Sequence, residues 1–128
     1  MWNVKIKFAK AISTLKDGTE YFYSGDVPTN AEEYEKINWK TGEDAGGSMI
    51  STTTNPHSEL TWSKVSTKMT ELQTEYEGLT YARTREESYP ITKEFIEAYT
   101  EKEIGGDSTK WDAYVVKYNK VRSDNQKP

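Results

Sequence analysis

An α+β fold is what this chain predicts, and three observations carry the prediction. Before about position 58, short stretches alternate apolar and polar residues around glycine-bearing turns, which suits an antiparallel β unit of about four strands in hairpins. After it, apolar residues recur every three or four positions, which suits three helices. Between the two lies Asn55-Pro56-His57-Ser58, a stretch of chain-breaking chemistry. The expected organisation is therefore a β-rich unit over 1–58 and a helical region over 59–128, as one compact domain or two sub-structures.

The elements follow in order. Trp2, Val4, Ile6 and Phe8 alternate with Asn3, Lys5 and Lys7, and Asp17-Gly18 has the residues of a tight turn. Together they predict a hairpin of residues 2–12 and 19–24. Thr29 and Glu32 behind Pro28 fit a capping box and a short helix. A second hairpin is expected from Ile37 to Thr54, turning at Gly42–Gly47. Trp62, Val65, Met69, Leu72, Tyr76 and Leu79 then form a heptad seam on a long helix over 62–88, with Thr61 as its N-cap and Pro90 beyond its end. Gly78 and Ala82, four apart, leave room for another backbone to come close. A helix over about 91–103 offers Phe95, Ile96 and Tyr99 and stops at Gly105-Gly106. Asp107 or Ser108 starts the last helix, with Trp111, Tyr114, Tyr118 and Val121 in its row, and the tail from Ser123 is expected to fray.

Composition narrows the function classes. Only 34% of the 128 residues are hydrophobic and mean hydropathy is −0.92, so little apolar surface is available to offset chain entropy. The 4 Trp, 9 Tyr and 3 Phe supply amphipathic area suited to a small core or an interface. Net charge is −4, with no basic arm in either half, which argues against a nucleic-acid partner. The chain has no cysteine, so thiolate and disulfide chemistry are excluded. No apolar run is long enough to span a bilayer, and the start does not read as a secretory signal.

No catalytic constellation is legible. His57 is the single histidine, in a turn, without the partner a general base needs. Gly42–Gly47 lacks the Gly-Lys-Ser/Thr end of a phosphate loop and the alternating carboxylates of a calcium loop. Glu86-Glu87 and Glu101/Glu103 read as solvated helix faces. No enzyme activity, cofactor or metal is expected. The seam residues Trp62, Val65, Met69, Leu72, Tyr76 and Leu79 are the candidates for a protein interface, buried either between chains or within this one. Tyr81, Arg85 and Tyr89 sit four apart before Pro90. They read as a structural corner in which the guanidinium stacks on a ring.

The run Tyr81-x-x-x-Arg85-x-x-x-Tyr89-Pro90, then Trp111 opening a last helix and an end at Asn125, Lys127 and Pro128, resembles small structural and tail-fibre-associated proteins of marine tailed bacteriophages, cyanophages of the contractile-tail type above all. The resemblance covers roughly residues 36–128. It departs at Glu94-Phe95-Ile96, where those proteins carry Gln-Leu-Asp, and at Asn125-Gln126, where they carry Asn-Pro. It implies a structural or assembly component of a virion, associated with tail, fibre or baseplate and made in the host cytoplasm. The partners it implies are other phage structural proteins or further copies of the chain, with no membrane. The rival readings are a capsid decoration protein, a free intracellular phage accessory protein that binds a host factor, and an enzyme or small-ligand binder.

Overall fold

The computed structural model describes residues 2–128. It is α+β, with a three-stranded antiparallel sheet in the order β1-β2-β3. Its elements are α1 (Val4–Leu15), β1 (Tyr21–Phe22), α2 (Ala31–Tyr34), β2 (Asn38–Glu43), β3 (Met49–Thr52), a 3-10 turn (Ser58–Leu60), α3 (Trp62–Gly78), α4 (Thr80–Ser88), α5 (Thr92–Glu103) and α6 (Thr109–Asp124). Packing divides the chain into one unit ending at Tyr76 and a second from Glu77 to Pro128. The division therefore falls inside α3 and not at the Asn55–Ser58 linker where composition changes.

The first unit corrects the expected first hairpin. Residues 4–15 are helical, and only Tyr21–Phe22 of the second arm is a strand, so the sheet has three strands and not four. The alternation of Trp2, Val4, Ile6 and Phe8 is a short-range coincidence: Val4 and Ile6 are exposed. The helical row Phe8, Ala11, Ile12 and Leu15 is the one that meets the core. Asn3 starts the helix, its side chain accepting from the Lys5 N–H at 2.8 Å. Asp17-Gly18 still turns the chain, with Gly18 at φ 76°, but it leads from a helix into β1.

The second hairpin forms as expected. Asp44 organises its turn, accepting from the Gly46 and Ser48 N–H groups at 2.9 Å each. β2 pairs with β3 from Trp39↔Thr52 to Glu43↔Met49, with a register irregularity between Lys40 and Gly42. The short helix α2 begins one residue later than the capping-box reading: Asn30 accepts from the Glu33 N–H, and Glu33 accepts in return from the Thr29 N–H at 2.8 Å. These bonds from Thr29 hold the Glu33 carboxyl below the usual carboxylate range. Thr61 caps α3 as expected, accepting from the Lys64 N–H at 3.3 Å.

The core of this unit is Phe8, Ala11, Ile12, Val27, Tyr34, Ile37, Trp39, Leu60, Val65 and Leu72, with Leu15, Tyr21, Tyr23 and other partly buried hydrophobics packed against it. It contains no buried polar or charged residue among those described. Aromatic rings dominate it. Trp39 touches Tyr21, Tyr34 and His57, and Phe8 meets Tyr21, Tyr23 and Tyr34 edge-on. Tyr34 Oη donates to the Leu60 carbonyl and so satisfies its one buried polar atom.

In the second unit the expected long helix is interrupted. Gly78 has low helix propensity, and Leu79 leaves the helical region at φ −99°, ψ 6°, so α3 and α4 are separate helices. α5 stops at Gly105-Gly106 as expected, with Gly106 at φ 69°. Ser108 is the N-cap of α6 by position, while the Asp107 carboxylate accepts from the Thr109 N–H at 2.9 Å. α6 continues to Asp124, so the first residues of the tail are ordered helix and not frayed.

Two predictions follow from this packing. Leu72 is 6% exposed and Leu79 is 53% exposed, although both belong to one sequence seam. Leu72→Asp should cost about 3–5 kcal/mol, because it places a carboxylate in an apolar core. Leu79→Asp should stay within about 0.5 kcal/mol of the parent. Urea denaturation of the two variants measures the difference, and equal losses would contradict the assigned burial.

The second concerns alkali. Burial pushes the Tyr34 phenol above the ordinary tyrosine value. A folded pKa that is raised stabilises the fold fully below the unfolded value, about 10, and that stability is lost as pH rises above it. The urea midpoint of the wild type should therefore fall more steeply from about pH 9 to about pH 11 than that of Tyr34→Phe. Parallel slopes would assign the alkaline loss to other groups.

Candidate functional site

The sequence-predicted interface residues do not gather on a free surface. Val65 and Leu72 are core residues of the first unit, and Trp62 and Met69 pack against that core. Tyr76 stacks on Trp2, with ring centroids 5.2 Å apart. The seam from Trp62 to Tyr76 thus packs within the first unit, with Val65 and Leu72 buried and Trp62, Met69 and Tyr76 half-buried. Its spacing is heptad-like because α3 presents a narrow stripe to a small core.

The corner residues are brought together within the second unit. The Arg85 guanidinium lies 5.1 Å from the centre of the Tyr81 ring. Its Nε donates to the Asn125 carbonyl at 2.7 Å and its Nη2 to the Arg122 carbonyl at 3.3 Å. Arg85 therefore caps the C-terminus of α6, where a cation meets the negative end of the helix dipole. Tyr89 stacks on Tyr118 at 4.9 Å and 13°. Its extended backbone, φ −61° and ψ 147°, is the conformation that a following Pro90 requires. Arg122, which donates to Tyr118 Oη at 3.3 Å, holds that phenol below its ordinary range, and Tyr89 acts in the same direction. The carbonyl-capping role of Arg85 was not legible in the sequence. Only Asn125, forty positions away, hints at it.

α5 and α6 form a hairpin with two different edges. On one edge Lys110 pairs with Glu101 at 2.6 Å and Lys117 with Glu94 at 3.4 Å. On the other, Phe95, Trp111 and Tyr114 form a continuous ring ladder with Tyr99 and Tyr118, and Lys102 lies 4.7 Å over Trp111. The helical repeat explains the separation: Glu94, Glu97 and Glu101 lie to one side of buried Ala98, and Phe95, Tyr99 and Lys102 to the other. Ala98 is the one buried hydrophobic of this unit among the described residues, while Ile91, Ile96, Ile104 and Val116 remain exposed.

The groups considered for chemistry are engaged structurally. The His57 ring meets Trp39 edge-on at 5.5 Å, and the His57 backbone N–H donates to Asn55 Oδ1 at 2.9 Å. A hollow of about 320 Å³ in the first unit is lined by Tyr34, Trp39, Thr53, Thr54, Asn55 and Trp62. Its Tyr34 hydroxyl and Asn55 amide both donate to the Leu60 carbonyl. Among the described residues no cluster of three or more His, Cys, Asp or Glu is placed to hold a metal ion. No described helix is long and apolar enough to cross a membrane. Compared with known proteins, the chain matches no family model, no curated protein and no solved structure.

Replacing the corner residues tests their ranking. Arg85→Lys keeps the charge but loses the planar stack and the forked contact, and should cost about 1 kcal/mol. Tyr89→Ala removes ring area and the stack together and should cost about 2 kcal/mol. Thermal denaturation followed by near-ultraviolet circular dichroism should show the larger shift for Tyr89→Ala. A wild-type melt for both variants would mean that the corner holds nothing together.

Proposed function

We propose that this chain is a structural or assembly component of a tailed-phage particle, associated with tail, fibre or baseplate, that acts by protein–protein contact and not by catalysis. The observation that carries the reading is the imbalance of the second unit. Its three helices are joined by ring stacking, ion pairs and a carbonyl cap, yet only Ala98 among their described hydrophobic residues is buried. Exposed apolar groups in such number on a short polar chain suit a surface that a partner covers. The partner favoured is another structural protein of the particle, because the Tyr81-Arg85-Tyr89-Pro90 corner and the aromatic last helix are the features that resemble phage structural proteins.

Two measurements test this. Mass spectrometry of purified particles should find the chain in constant ratio to the major structural proteins. Ile96→Asp and Ile104→Asp, at residues 55% and 83% exposed, should leave the fold intact and lower incorporation into particles several-fold. Absence of the wild-type chain from particles would overturn the virion assignment. Normal incorporation of both variants would move the contact away from these helices.

A further inference from the structure

We propose that the hollow beside Trp62 in the first unit is a binding site for a trimethylammonium group, the cationic head of choline or of a trimethylated lysine. The site belongs to the first unit alone and adds to the contact surface of the second.

The hollow of about 320 Å³ is at the small end of ligand sites, which run from roughly 300 to 1,000 Å³, so it suits a head group and not a large molecule. Trp39 and Tyr34, 1% and 5% exposed, line its inner part, and half-buried Trp62 lines it nearer the solvent. The Tyr34 ring centre is 5.3 Å from that of Trp62 and 5.8 Å from that of Trp39, with the planes inclined at 44° and 70°. Rings inclined to one another in this way make a corner, and not the flat platform on which a sugar ring stacks. Among the described residues that line the hollow, Glu35 is the only charged one, and no ion pair engages its exposed carboxylate.

Hydrogen bonds already made in the wall select the occupant. The Leu60 carbonyl accepts from both Tyr34 Oη and Asn55 Nδ2, and Asn55 Oδ1 accepts from the His57 backbone N–H. The Tyr34 hydroxyl proton and both lone pairs of that carbonyl are therefore spent. A sugar, a primary ammonium or a metal ion needs several donors or acceptors. Each would find little beyond the Thr53 and Thr54 hydroxyls and the Glu35 carboxylate, all on exposed residues. A trimethylammonium group needs no hydrogen bond: its charge is spread over methyl groups that lie against aromatic carbon, and a nearby carboxylate supplies the counter-charge. The Glu35 charge, in a chain of net charge −4, favours a cation over an anion. With one half-buried ring as the main contact, binding is weak, with a Kd on the order of 1 mM.

The 4 tryptophans make the test direct, because each indole N–H gives its own nuclear magnetic resonance signal. Choline chloride is titrated into isotope-labelled full-length protein up to about 50 mM. The expected result is a saturable shift of the Trp62 and Trp39 indole signals, with Trp111 of α6 unmoved. Glu35→Gln, at an exposed position that leaves the fold intact, should weaken binding about fivefold. The uncharged isostere of choline, in which carbon replaces the nitrogen, should not bind measurably. A peptide carrying trimethyl-lysine is titrated in parallel: tighter binding than choline assigns the group to a protein, and the reverse assigns it to a free ion. No saturable shift with either ligand overturns the proposal. So does equal binding of the isostere, an affinity indifferent to Glu35→Gln, or an equal response at Trp111. Methyl glucoside shifting the same signals at lower concentration would make the hollow a sugar site and overturn it too. Loss of particle incorporation with choline binding intact would bear on the second unit and leave this assignment standing.

Discussion

The first unit depends on the burial of Trp39. This residue sits on the central strand, is 1% exposed, and is reached by Tyr21 from β1, Tyr34 from α2 and His57 from the linker. A large ring in that position lets a three-stranded sheet of short strands acquire a hydrophobic layer that a mean hydropathy of −0.92 would otherwise deny it. The helices then add to the same layer, α1 through Phe8 and Ile12 and α3 through Val65 and Leu72. Because the rings meet edge-on or tilted, they bring orientation as well as area. The polar tip of Tyr34 is accommodated only because Leu60 O lies within its reach.

The second unit solves the same problem with little interior. Its hairpin is fixed by groups at its margins: ion pairs on one edge, stacked rings on the other, and Arg85 on the carbonyls ending α6. The surface ion pairs contribute little to stability, since both partners are solvated. The ring ladder and the cap carry more, because each removes area from water or satisfies a helix-end carbonyl. Such an arrangement leaves apolar residues on the outer faces of α5 and α6, where they are open to a partner and contribute nothing to the fold.

Much of this was legible in the sequence, and the failures have physical causes. The α+β class, the second hairpin, the Thr61 cap and the stop at Gly105-Gly106 rest on local chemistry, and local chemistry decides them. The N-terminal helix is masked in the sequence by the alternation of Trp2, Val4, Ile6 and Phe8, which overlaps the helical row Phe8-Ala11-Ile12-Leu15 behind the Asn3 cap. Over so few positions the two periods differ little, and burial chooses between them. The seam holds as an apolar stripe from Trp62 to Tyr76, while Leu79 is exposed beyond the end of α3, and the spacing does not state its destination. A narrow apolar stripe suits a second chain or a small core equally well, and here the ring-lined first unit takes it. The corner was read as a stack, while its strongest contact, Arg85 to the Asn125 carbonyl, joins residues that no short-range pattern connects.

These two ways of holding a fold also place different demands on variation. In the first unit, a change in ring size at Phe8, Tyr34 or Trp39 is felt by several neighbours at once, because each ring touches at least two others. In the second, a change at Ile96, Ile104 or Val116 meets solvent and alters only what the surface presents. Sequence freedom is therefore concentrated on the outer faces of α5 and α6, together with the uncharged edge of β3. The corner between them in the chain, Tyr81 to Pro90, is constrained by geometry at four positions. The outer surface can therefore vary without changing how the chain folds, because the exposed apolar residues and those that hold the chain are different residues.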